Sequence, residues 1–155
     1  MSPPRKPARA PAPQSLKIQI DGAARGNPGP AGAGIALTDP KGRLVKELSV
    51  YLGETTNNVA ETCALILALQ EALKLRCGEV SVSTDSELLA RQVNGIYKVR
   101  DARLQWLHAL IRNLVESFEK FEIQHVPREE NRVADKLANQ AVDQAAPRPP
   151  SLFPD

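Results

Sequence analysis

Residues Leu16 to Ile20 read Leu-Lys-Ile-Gln-Ile, an apolar-polar alternation with the period of a strand that buries one face. Val80 to Thr84 repeats the period as Val-Ser-Val-Ser-Thr, and Phe121, Ile123 and His125 alternate in a third such stretch, which points the His125 ring inward. Between and beyond these stretches, patterning and turn residues predict strands over 16–21, 32–38, 43–52, 79–84 and 120–126, and helices over 58–76, 86–94, 101–118 and 130–145. In the last helix Val133, Ala134, Leu137, Ala138, Ala141, Val142 and Ala145 form one apolar arc at roughly 100° per residue, with Asp135 at its edge. The first three strands are joined by turn-rich links, Gly26 to Gly32 and Asp39-Pro40-Lys41-Gly42, which suit antiparallel neighbours. Later strands alternate with helices and should run parallel. The expected class is α/β, with a mixed five-stranded sheet, three antiparallel strands then parallel ones, flanked by helices.

Composition sets the boundaries. The chain has 155 residues, 42% of them hydrophobic, enough for one core and one domain. Pro3, Pro4, Pro7, Pro11 and Pro13 sit among Ala, Arg and Lys, so residues 1–15 are expected to be a disordered basic tail. The domain is expected over 16–146, with a second Pro-rich tail over 147–155. A net charge of +2 is too weakly basic to argue for nucleic acid by itself. No apolar run approaches the roughly 18 residues of a membrane span, and the N-terminus lacks the apolar core of a secretory signal, so a cytoplasmic protein is expected. Cys63 and Cys77 fall about 20 Å apart along one helix and are read as packing residues, not a disulfide.

Four acids then change the picture. Asp21 ends the first strand, Asp85 follows Val80 to Thr84, Glu61 lies in the first turn of the long helix and Asp135 lies near the start of the last one. In open α/β sheets sites form beyond the carboxyl ends of parallel strands, and Asp21 and Asp85 occupy those ends. Hard divalent cations take carboxylates together with substrate phosphates, so this placement points to phosphoryl chemistry. Local structure offers a competing account, with Asn58/Glu61 and Thr84/Glu87 as capping boxes and Asp85 as a first-turn acid. Asp135, at the margin of an apolar arc, is harder to explain without a partner.

The words around the acids are Asp21-Gly22-Ala23-Ala24-Arg25-Gly26-Asn27-Pro28-Gly29, Thr56-Asn57-Asn58-Val59-Ala60-Glu61, Thr84-Asp85-Ser86 and Glu130-Asn131-Arg132-Val133-Ala134-Asp135-Lys136-Leu137-Ala138, with the acids separated by 40, 24 and 50 residues. In this order they resemble the four signatures of the type 1 ribonuclease H family, over about residues 16 to 145. The resemblance implies a ribonuclease H-like fold and an endonuclease that cuts the RNA strand of RNA/DNA hybrids with two Mg²⁺ ions, Mn²⁺ being a possible substitute, leaving 5′-phosphate and 3′-hydroxyl ends. It implies Asp21 as a ligand shared by both ions, Asp135 on the water-activating side, and Glu61 and Asp85 on the leaving-group side. It also implies substrate contacts at Gly22, Asn27, Thr56 and Asn57, small residues after Asp21 letting a nucleic-acid backbone approach the sheet. The Lys- and Trp-dense basic protrusion of some relatives is missing, as in a compact archaeal-like branch, and Arg128 stands where a loop His is found, able to bind a phosphate though not to shuttle protons. A monomer is expected. Leu152-Phe153 resembles in type the sliding-clamp peptides of replication proteins and suggests a clamp as a partner of the tail. Two rivals remain: a catalytically inactive nucleic-acid-binding module, and a DNA nuclease of the same fold.

Overall fold

A computed structural model describes residues 14–145. Residues 1–13 of the expected basic tail and the Leu152-Phe153 segment lie outside them, while Gln14 and Ser15, also assigned to that tail, are ordered: Ser15 opens β1 and the Gln14 carbonyl accepts from Glu79 N at 2.9 Å. The elements run β1 (Ser15–Ala24), β2 (Gly29–Thr38), β3 (Leu44–Thr55), α1 (Asn57–Lys74), β4 (Glu79–Thr84), α2 (Glu87–Val93), α3 (Ala102–Val115), β5 (Lys120–His125), a short 3₁₀ turn (Arg128–Glu130) and α4 (Arg132–Gln144). The five strands form one sheet in the order β3-β2-β1-β4-β5. β1, β2 and β3 pair antiparallel, while β4 lies parallel to both β1 and β5.

Alternation along β1 sorts its two faces. Leu16, Ile18 and Ile20 join Ile35, Leu37, Leu65, Leu69, Val82, Leu89, Ile111 and Ile123 in the main core under α1 and α3. On the other face α4 lies across β1, β2 and β3, burying Ala134, Leu137, Ala138, Ala141 and Val142. Ser49 Oγ of β3 donates to the Leu137 carbonyl at 2.7 Å and ties the helix to that edge. Val133, expected within the apolar arc, is exposed instead, because it falls on the outer flank of a helix whose contact stripe is lined by alanine.

Glycines set how closely both helices approach. A Cβ on Gly22 would stand 2.2 Å from Ala60 C and Glu61 N of α1, and one on Gly34 would stand 2.1 Å from the Ala134 carbonyl oxygen and 2.5 Å from Ala138 N of α4. Both neighbours are helix backbone, which cannot yield without lifting the helix. Of the small residues after Asp21, Gly22 makes room for α1.

Several boundaries differ from expectation: β2 starts at Gly29, β3 runs on to Thr55 and α3 stops at Val115. β1 continues past Asp21 to Ala24, since the antiparallel partner β2 still pairs there, Ala24 opposite Ala31. The parallel pairing with β4 does stop one residue before Asp21, at Ile20 opposite Thr84. Asp21 is thus mid-strand for one neighbour and at the carboxyl end for the other. The caps also shift. Thr56 Oγ1 accepts from Val59 N and Ser86 Oγ from Leu89 N, so neither Asn58 nor Thr84 caps its helix. The last helix starts at Arg132, after the separate 3₁₀ turn.

Gly34→Ala should destabilise the fold by about 2 kcal/mol or more, an overpacking cost against backbone. Gly78→Ala, whose Cβ would meet only the flexible Glu119 side chain at 3.4 Å, should stay within about 0.5 kcal/mol of wild type. Urea denaturation of the two variants checks the contrast, and equal midpoints would refute the packing role of Gly34.

Candidate active site

Asp21, Glu61 and Asp85 come from β1, α1 and the β4–α2 junction, yet each offers a carboxylate oxygen within 4.8 Å of the others. Gly22 brings α1 against β1 so that Glu61, which falls in the helix's second turn and not its first, reaches over its own contact point. β4 stops after Thr84, whose Oγ1 accepts from Ser86 N, and this turn places Asp85 beside the Ile20–Asp21 step of β1.

Asp135 joins from the opposite face. Asp21 pairs in register with Gly34, Gly34 admits α4 to close range, and Asp135 adds to the raising of the Asp21 carboxyl while lying outside the group whose oxygens are all within 4.8 Å of one another. Asp135 Oδ1 accepts from Asn139 Nδ2 at 3.4 Å and lies 3.5 Å from Arg128 Nη2, which is otherwise exposed. Asn131 is fully buried at the start of α4 and donates from Nδ2 to the Ile20 carbonyl at 2.8 Å. Sequence reasoning gave Asn131 and Asn139 no role. An Asn before a helix signals a local cap, and nothing local distinguishes the tertiary bond formed here.

Electrostatics sets this cluster apart from an ordinary buried acid. Burial pushes the Asp21 carboxyl up to about 10, with the charges of Glu61 and Asp85 adding to it. Burial and the Asp85 charge likewise raise Glu61 to about 8, against the lowering effect of hydrogen bonds from Asp21 and Gly22. By contrast Glu71, equally buried, is held below its usual range by Lys46 and is bonded by Lys46 Nζ at 2.8 Å and Lys74 Nζ at 3.1 Å. Glu71 has its cations. Among the described residues Asp21 and Glu61 have none, and Glu61 Oε2 is buried without a hydrogen-bond partner. An all-oxygen set with an orphaned carboxylate oxygen fits a hard divalent cation.

The expected substrate contacts gather at one rim. Asn57 Oδ1 accepts from Ala24 N at 2.9 Å, and Asn27 Oδ1 accepts from Asn57 N at 3.1 Å. Both side chains are exposed and spend their oxygens on this link between the β1–β2 turn and α1, and their NH₂ groups have no hydrogen-bond partner among the described residues. His125 departs from expectation. It is exposed at the end of β5, opposite Thr84, because β5 is an edge strand and its last residue extends past the helices that cover Ile123.

The raised carboxyls carry a pH signature. The folded protein retains protons that the unfolded chain, with ordinary values of 3.8 and 4.5, has already released, so metal-free stability falls as pH climbs from those values through about 8 and 10. The melting temperature gained on Asp21→Asn should be larger at about pH 8 than at about pH 5, and saturating Mg²⁺ should reverse the wild-type loss. Calorimetric scans without and with Mg²⁺ check this, and a pH-independent difference would contradict it.

The geometry finds counterparts among known proteins. Residues 19–141 match a family model described as reverse transcriptase-like. A ribonuclease HI of Halobacterium salinarum is 41% identical over 126 residues, which is 81% of this chain and 63% of that protein. A bifunctional protein of Mycobacterium tuberculosis is 41% identical over 130 residues, 83% of this chain and 36% of that protein. The chain thus spans less than two thirds of these curated relatives. Among solved structures, ribonuclease H1 from the same Halobacterium superposes with a TM-score of 0.82 at 39% identity, over 84% of this chain and 99% of the other. LC11 ribonuclease H1, isolated from compost and solved in complex with an RNA/DNA hybrid, gives 0.79 at 46% identity, over 84% and 98%. Four acids in the family's order, a matching sheet and relatives at this identity place the chain in the type 1 ribonuclease H family.

Proposed function

We propose that this chain is an endoribonuclease that hydrolyses the RNA strand of RNA/DNA hybrids, using two divalent cations, Mg²⁺ with Mn²⁺ as a substitute. The observation that carries the reading is the meeting of Asp21, Glu61 and Asp85 within 4.8 Å, with a Glu61 oxygen buried and unpartnered. Asp21, Glu61, Asp85 and Asp135 would hold the ions. When bound, such ions activate water and stabilise the attacking and leaving oxygens of an in-line displacement, which yields 5′-phosphate and 3′-hydroxyl ends.

The remaining residues position the substrate. Arg128 is exposed beside Asp135 and presents a planar donor fork suited to a phosphate on the RNA strand. Asn27 and Asn57 offer their NH₂ groups, and the Thr56 hydroxyl, which accepts from Val59 N, keeps its own hydrogen for a phosphate. Gly22 contributes through its backbone. Contacts of this kind follow sugar chemistry and helix shape, so little sequence preference is expected. Four acids in one cleft weigh against an inactive binding module.

Matched RNA/DNA, RNA/RNA and DNA/DNA duplexes, each with and without Mg²⁺, test the reading. Cleavage of the hybrid's RNA strand with Mg²⁺ alone supports it, whereas cleavage of DNA/DNA, or no cleavage at all, sinks it. Asp21→Asn should lower kcat by about 100-fold or more, on the scale of losing a central electrostatic stabiliser. Arg128→Ala should lower kcat by about 10-fold. His125→Ala, at an exposed position, should shift stability by no more than about 0.5 kcal/mol. An Arg128→Ala protein with wild-type kcat would remove Arg128 from the set.

A further inference from the structure

We propose that Asn131 is a positioning residue that sets where Asp135 stands relative to Asp21, and so sets the cation affinity of the cluster. The inference rests on the metal-dependent reading above. Asn131 precedes α4 but does not act as a cap. Its backbone, at φ −125 and ψ 25, is not in the extended conformation of a capping residue, and its side chain makes no capping hydrogen bond. That side chain is instead fully buried, and Nδ2 donates across 111 residues of sequence to the Ile20 carbonyl at 2.8 Å.

Two further links complete a path. The Asn131 carbonyl accepts from Asp135 N at 3.1 Å, and Ile20 is bonded covalently to Asp21. The backbones of the first and fourth carboxylates are therefore joined through one residue by two hydrogen bonds and a peptide link. The side chain's oxygen sheds light on its purpose. Asn131 Oδ1 is buried without a partner, a cost that an apolar residue at this place would not incur. What the amide supplies in return is the NH₂ donor to Ile20. Arg128 reaches Asp135 only through Oδ1, and Asn139 Nδ2 meets both Oδ1 at 3.4 Å and the main-chain carbonyl at 2.9 Å, but both contacts stay beside α4, whereas Asn131 ties the Asp135 main chain to β1. Groups that orient a metal ligand typically change affinity by about 10- to 100-fold when removed.

The test measures binding of Mn²⁺ alone to the full chain, with free ion counted by electron paramagnetic resonance, for wild type, Asn131→Ala, Asn131→Ser and Val142→Ala. Val142 is buried on the same helix away from the carboxylates, so its truncation reports what a loosened α4 does by itself. Asn131→Ala should raise the dissociation constant about 10-fold. Asn131→Ser, with a hydroxyl donor, should raise it less, and Val142→Ala should leave it unchanged. Under saturating Mn²⁺, Asn131→Ala should also lower kcat on the hybrid with KM within about twofold of wild type. Wild-type Mn²⁺ binding by Asn131→Ala, or equal weakening by Val142→Ala, overturns the proposal. If Asn131→Ala does not fold, Asn131→Ser decides: weaker binding supports the role and wild-type binding ends it. Should wild type fail to cleave the hybrid while the binding series behaves as expected, the hybrid reading falls and the positioning role of Asn131 stands.

Discussion

Two places where helix backbone presses against sheet backbone govern this molecule. At Gly22, α1 comes within touching distance of β1, and at Gly34, α4 comes equally close to β2. Because the two strands are paired, Asp21 opposite Gly34 and Gly22 opposite Ala33, both contacts fall within one register step of Asp21. One delivers Glu61 from one face of the sheet and the other delivers Asp135 from the opposite face. Pushing either helix outward would carry its carboxylate away from Asp21.

The fold must hold these groups together against their own repulsion. Carboxylates at such separations in a partly dry site oppose one another, and the molecule responds by retaining protons on Asp21 and Glu61. The energy that keeps them in place comes from elsewhere, chiefly from the core of Leu16, Ile18, Ile20, Leu65, Leu69 and Ile111 beneath α1 and α3. Alanine-lined packing of α4 and the bonds from Ser49 and Asn131 add to it. Glu71 shows what the chain does with a buried acid that is purely structural: it supplies two lysines. The missing cations at Asp21 and Glu61 distinguish the two cases.

The rim of the site reuses structural bonds for recognition. The Asn27–Asn57 link joins the β1–β2 turn to the start of α1, and the same two residues keep donors without a partner among the described residues. Arg25, just past β1, pairs with Asp143 and reaches the Asn139 carbonyl, bracing the C-terminal half of α4. Arg128 stands on the 3₁₀ turn before α4, beside Asp135. The compact loop between β5 and α4 thereby brings a cation to the edge of the acids without a longer insertion.

The alternation in Leu16 to Ile20 and Val80 to Thr84 was enough to place two strands, and the turn residues after them were enough to distinguish antiparallel from parallel neighbours. The four acidic words in their order carry the resemblance to the family that the comparisons show, because each word is a short local stretch. Caps, the exposure of Val133 and His125, and the continuation of β1 past Asp21 were not legible, since each depends on which element lies alongside. Asn131 is the plainest case. Its sequence neighbours describe a residue before a helix, and only the sheet, by bringing the Ile20 carbonyl to it, decides that its amide crosses to β1 instead of capping α4. Local patterns set which groups a segment carries and how often they recur, while long-range packing decides which of those groups meet, because a hydrogen bond or a carboxylate contact forms only where the backbones of distant segments have already been brought together.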